Sequence, residues 1–155
     1  MPLDKAKLLD NLKNLPPAND PATAAANFGK AFMDYYSGAT IIDATPILTP
    51  LDPLFLTTLG SQTFIQTLGT ILQTWFLTVS WTASTATALP GTTMAIGPAL
   101  DILLAAFIVN SLADKSDPLK DTLPEFVDII DSWSKTIVVT LLNNVTAAPI
   151  VVVMT

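Results

Sequence analysis

Lys135 follows Ser134 by one residue and Ser132 by three. A lysine held neutral beside a serine hydroxyl can take its proton, so this trio has the parts of a nucleophilic site. Its setting favours a plainer reading. The three residues fall where a helical pattern gives way to a β-branched run, and a helix-to-strand junction supplies such neighbours by chance. Chemistry of the Ser-His-Asp kind is excluded, because the chain has no histidine. It has no cysteine either, which removes thiolate nucleophiles, disulfides and zinc–thiolate sites. Asp114, Asp117 and Asp121 could gather oxygen ligands around calcium, but their spacing matches no EF-hand loop, and caps or solvated loop acids are the preferred reading. Asp128 and Asp131 stand three apart, as a pair of catalytic carboxylates on one helix face would, and a solvated face is again the ordinary explanation. Neither "LGTIL" nor "PGTTMAIGP" has the glycine spacing and lysine of a phosphate loop. Asn144-Val145-Thr146 is a glycosylation sequon that matters only in a secreted setting. No catalytic, cofactor or metal site is expected, and the chain reads as a non-enzyme.

The elements that would carry these residues are mainly helical. Leu3 to Leu15 has Leu8, Leu9, Leu12 and Leu15 on one face, and Pro16-Pro17 ends it. In "NDPATAAANFGKAFMDYYSG" Asp20 suits the N-cap and Pro21 the first helical position, with Phe28, Phe32, Tyr35 and Tyr36 as the apolar stripe. Residues 39–54 are broken by Pro46, Pro50 and Pro53 and read as an extended crossing segment. A helix is expected to start near Leu54 or Ser61 and to run to about Trp75, followed by the strand-like alternation Leu77, Val79, Trp81. "TASTATALPGTT" reads as a loop ending in the turn signal Pro90-Gly91. "PALDILLAAFIVNSLAD" is apolar nearly all round, the mark of a buried helix. Thr122 and Glu125 have the spacing of a capping box ahead of Phe126, Ile129, Ile130 and Trp133. Two β-branched runs, about 136–142 and 149–154, then form an antiparallel hairpin around "NNVTAA". The fold class is α+β: a predominantly helical single domain with a small antiparallel β element near the C-terminus. Its parts are an N-terminal helical arm at about 1–38, a charge-free core or interface region at about 53–100, and a helix plus β-hairpin at about 121–155.

The placement of charge bears most directly on function. Hydrophobic residues make up 50% of the chain and charged residues 13%, about half the usual share, so much of the surface is expected to be covered. The seven cations are all lysine, the acids are twelve aspartates and Glu125, and the net charge is −6. That balance argues against direct nucleic-acid binding, which needs clustered cations. Between Asp52 and Asp101 there is no Asp, Glu, Lys, Arg or His, although charge is what keeps a face solvated and unpaired. Within this stretch, "FIQTLGTILQTWFLTVSW" at helical spacing puts Phe64, Leu68, Ile71, Leu72, Trp75 and Val79 on one face. Thr63, Thr67, Thr70 and Thr74 fall on another, beside Gln62, Gln66 and Gln73. Threonine is a weak helix former, so helix propensity does not account for the stripe. A membrane span would need about 20 mostly apolar residues. This segment carries glutamines and threonines, the helix after Pro98 contains Asp101, and neither has a flanking cationic cluster to set topology. Burial in protein is therefore preferred to burial in lipid. The N-terminus, mixed in charge and without an apolar core, does not read as a secretory signal.

The layout resembles a group of small virion proteins of tailed bacteriophages. The likeness runs through "LDKAKLLDNL", the proline-rich break, "PATAAANFGKAFMDYYSGAT", the charge-free middle around Trp75, "LDILLAAF" and "FVDIIDSWSKTIVVT". It implies a multi-copy structural role in a particle assembled in the host cytoplasm, as a capsid cement protein or a head–tail or tail component, and it carries over no catalytic residues. The partners expected are other virion subunits or further copies of the chain. The interface residues expected are Gln62, Thr63, Gln66, Thr67, Thr70, Gln73 and Thr74, with Ile150, Val151, Val152 and Val153 of the last strand, which would recruit a further strand if left at a sheet edge. The alternative is a small membrane-active protein of the holin type.

Overall fold

A computed structural model describes residues 3–39, 45–56, 64–82, 86–88, 93–95, 99–108, 118–143, 146 and 149–153. The helices are α1 (Lys5–Lys13), α2 (Pro21–Tyr36), α3 (Asp52–Leu56), α4 (Phe64–Phe76), α5 (Leu100–Phe107) and α6 (Pro118–Ser134). The strands are β1 (Thr45–Ile47), β2 (Ser80–Thr82), β3 (Ala86–Ala88), β4 (Thr93–Ala95), β5 (Ile137–Asn143) and β6 (Pro149–Val153). The fold class is α+β, mostly helical.

Local chemistry sets the helix ends. Asp4 caps α1, its Oδ1 accepting from the Lys7 N–H at 3.2 Å. Asp20 caps α2 with both oxygens, one accepting from the Thr23 N–H at 2.8 Å and the other from the Thr23 hydroxyl at 2.8 Å. These bonds, the backbone one foremost, hold the Asp20 carboxyl below the usual carboxylate range. A depressed value means that this stabilisation is present above the unfolded pKa and is lost as pH falls through the folded one. Asp20→Ala should therefore lower the melting temperature at neutral pH. In strong acid the two proteins should melt together, and thermal scans at both pH values check it.

The sheet is larger than the C-terminal hairpin. Its strands are all antiparallel and run β1-β2-β3-β5, with β4 and β6 also on β5. The hairpin is as expected, with registers from Val138↔Val153 to Leu142↔Pro149. β3 and β4 occupy the opposite edge of β5 in tandem, at Ala86↔Asn143 and Thr93↔Val139. The described residues of the threonine-rich segment expected as a loop are therefore strand, because β-branched Thr suits a pleated surface once a partner strand is supplied; Pro90 and Gly91 lie outside the described residues. Ile137, Val139 and Leu141 are buried on one face of β5, while on the other Thr140 is half-buried and Leu142 exposed.

The buried apolar residues form one cluster running from Leu8 and Leu12 of α1 to Leu141 of β5. A fully buried leucine such as Leu68 or Leu72 contributes roughly 1.5–3 kcal/mol. An aromatic chain ties the helices together. Tyr36 meets Phe76 edge-on with ring centroids 4.9 Å apart, Phe76 packs on Trp133 at 5.9 Å, and Phe28 meets Phe55 edge-on at 5.1 Å. The Trp75 indole N–H donates to the Thr49 carbonyl at 2.9 Å, which fixes the segment after β1 against α4.

Two helix ends also differ from expectation. Leu15 lies beyond the end of α1 and is exposed, because the helix stops at Lys13 and its stripe stops with it. α6 begins at Pro118, so Thr122 is a buried residue inside the helix and not its cap, and Pro124 sits in the helix interior. Pro118 suits a first helical position as well as Pro124 would, which makes the earlier start available.

Candidate functional site

The amphipathic repeat of α4 divides its residues as the spacing requires. Leu68, Leu72, Trp75 and, after the helix, Val79 are buried, and Ile71 is half-buried. On the threonine side the row is not uniform. Thr70 and Thr74 are exposed, whereas Thr67 and Gln73 are half-buried. Gln62 and Thr63 lie outside the described residues, and Gln66 is in α4 without a described side chain. Leu77 follows Thr74 by three residues and is also exposed. The outer part of the threonine face is thus left uncovered by the described residues of its own chain.

α5 packs directly on α4. A Cβ built on Gly69 would lie 2.3 Å from the backbone nitrogen of Asp101, so the two helices meet backbone to backbone at this glycine. α5 was expected to be buried all round, and it is not. Leu100, Leu104 and Phe107 are buried, but Ile102 is 63% exposed and Ala106 is exposed too. A helix packed on neighbours along one side leaves the other open, whatever its composition. The two packed helices thus leave uncharged residues exposed: Thr70 and Thr74 of α4, Leu77 just after it, and Ile102 and Ala106 of α5.

The second expected surface is β6. Ile150, Val151, Val152 and Val153 are paired with Leu141, Thr140, Val139 and Val138 of β5. Among the described residues β6 has no other strand neighbour, so one of its edges faces away from the sheet.

No protein-family model, curated protein or solved structure matches the chain.

Lys135, Ser134, Asp128 and Asp131, four of the residues considered for chemistry, each have a partner in the fold. Lys135 Nζ donates to Asp131 Oδ2 at 2.7 Å, not to a serine. The Ser134 hydroxyl is buried, donates to the Ile130 carbonyl at 2.7 Å and pairs with the Tyr36 hydroxyl at 2.8 Å. Asp128 is exposed and forms an ion pair with Lys5 at 2.7 Å, which raises the lysine pKa through that charge-assisted bond. Asp131 does not lie on a solvated face. It is 5% exposed and accepts from the Tyr35 hydroxyl at 2.8 Å. The correction has a simple cause: Asp131 shares its side of α6 with Val127, Ile130 and Ser134, all buried, and Tyr35 arrives from α2 to receive it. Burial pushes both tyrosine hydroxyls well above their ordinary range. Sequence reasoning missed this α2–α6 polar knot; the available signal was that a helix stripe ended in two tyrosines, whose hydroxyls need partners when buried.

A shallow groove of about 270 Å³ runs between α1 and α2, lined in part by Asp10, Asn11, Asn27, Lys30 and Asp34. Lys30 is paired to Asp34 within α2, and Asn27 donates to the Pro16 carbonyl at 3.2 Å, which ties α2 to the segment that follows α1. Among the described residues no three His, Cys, Asp or Glu side chains converge as metal ligands. Asp114 and Asp117 lie outside that set, and Asp121 is in α6 without a described side chain.

Proposed function

We propose that this chain is a structural assembly subunit of a viral particle, without catalytic activity, which packs in multiple copies against itself or against another shell or tail subunit. The observation that carries the reading is that Thr70, Thr74 and Leu77, and Ile102 of the helix packed on α4, are all exposed. It lies in a chain with no ionisable side chain from 53 to 100. An uncovered surface with neither charge nor a site for a small molecule is what an interface looks like before it is covered. The outward edge of β6 supports a second contact, in which a strand from a neighbour extends the sheet. The virion setting comes from the resemblance in layout alone.

The holin-like alternative has less support, because among the described residues no helix is long and apolar enough to cross a membrane. Fractionation separates the two readings: recovery only with membranes and detergent would favour the alternative. For the interface itself, Thr70→Lys and Thr74→Lys place a charge on an exposed helix position and should leave the circular dichroism spectrum and melting temperature of the dilute chain nearly unchanged. Sedimentation velocity should show wild type associating with rising concentration and both variants at least about tenfold weaker, since a desolvated, unpaired ammonium is costly at a contact. Association equal to that of wild type would remove this face from the interface.

A further inference from the structure

Asp101 is the single Asp, Glu, Lys, Arg or His between residues 53 and 113. It stands in the first turn of α5, with its backbone against Gly69 of α4 and next in sequence to exposed Ile102. One of its carboxylate oxygens, Oδ1, is closed off from solvent and accepts no hydrogen bond. No described lysine forms an ion pair with it. The helix dipole favours an acid here, but it offsets only part of what removing a carboxylate oxygen from water costs. The residue as a whole remains partly exposed, so a cation can reach the group from outside.

The lysines with described side chains divide in a complementary way; Lys115 and Lys120 lie outside that set. Lys5, Lys30 and Lys135 are paired with Asp128, Asp34 and Asp131. Lys7 and Lys13 of α1 are exposed and have no acid partner among the described residues. We infer that in the assembled state Asp101 of one copy is paired by a lysine ammonium of a second copy of this chain, delivered by the α1 surface through Lys7 or Lys13. The inference rests on the self-assembly reading above and names the charge pair within that interface. It also gives the α4–α5 surface a register, since a lone anion in an uncharged patch admits one cation at one place.

Because the carboxylate is under-compensated in the free chain and compensated in the complex, its removal acts with opposite sign on the two. Asp101→Asn should raise the melting temperature of the dilute full-length chain and weaken self-association by about tenfold or more, with a flatter salt dependence in sedimentation velocity. A Lys7→Asp, Lys13→Asp double variant should weaken association similarly, and adding Asp101→Lys to it should restore association. If Asp101→Asn lowers the melting temperature and association together, Asp101 is a structural residue of the monomer and the pair is overturned. If wild type associates and Asp101→Asn associates equally well with the same salt response, the pair is overturned while self-assembly stands. A wild-type chain that stays monomeric at every concentration overturns both.

Discussion

Gly69→Ala should lower the stability of the chain by about 2 kcal/mol, and Gly69→Val by more. The sign is the informative part. At an ordinary helix position alanine stabilises relative to glycine by about 1 kcal/mol, because it restricts the unfolded chain and has the better helix propensity. At Gly69 the added Cβ would lie 2.3 Å from Asp101 N, 2.7 Å from Asp101 Cα and 2.8 Å from the Leu100 carbonyl carbon. All three atoms are backbone, so no rotamer change relieves the overlap and α4 must move away from α5. Leu68, Leu72, Leu100 and Leu104 are fully buried on these two helices, and separating the helices loosens their packing. For a domain of this size each kcal/mol is worth about 2–4 °C, so the alanine variant should melt some 4–8 °C lower. Urea unfolding of the dilute chain measures the free energy directly. An alanine variant more stable than wild type would show that the helices do not meet at this residue.

What could be read in the sequence was what neighbouring residues decide among themselves. The Asp20-Pro21 start of α2, the apolar side of α4 and the β5–β6 hairpin each depend on a few adjacent residues, and each appears where the pattern puts it. Distant partners decided the rest. Ala86 is strand because it pairs with Asn143, far along the chain. Asp131 is buried because Tyr35, 96 residues earlier, donates to it. A helical wheel cannot tell an acid on a wet face from one that meets a tyrosine. The same limit applied to α5, whose composition says that it can be buried but not that a neighbour covers Ile102. The threonine row shows what pattern can do for a candidate surface. It pointed to the row, and of the members whose side chains are described Thr70 and Thr74 are exposed while Thr67 and Gln73 are half-buried.

Asp131→Ala should destabilise the chain by about 3 kcal/mol, the larger share coming from the Tyr35 hydroxyl. Tyr35 is 1% exposed, so without its acceptor it keeps a donor shut away from water. Lys135 is half-exposed and can turn to solvent when its partner goes, which makes Lys135→Ala the milder change. A double-mutant cycle of Tyr35→Phe and Asp131→Asn isolates the bond that joins α2 to α6, and a coupling of about 1–3 kcal/mol is expected. Alkali provides an independent readout. The Tyr35 and Tyr36 hydroxyls are held above their ordinary value near 10 mainly by burial. A group whose folded pKa is raised contributes stability that is complete below the unfolded value and is lost as pH rises towards the folded one. From about pH 10 upward, each tyrosine should therefore cost about 1.4 kcal/mol per pH unit as the unfolded chain ionises and the folded one does not. The Tyr35→Phe, Tyr36→Phe chain starts less stable at neutral pH, because Asp131 and Ser134 each lose one of their two partners. Above pH 10 it should lose stability more slowly than wild type, and the two curves converge. Parallel curves would mean that the hydroxyls reach water, and the knot would then be no more than a surface contact between α2 and α6.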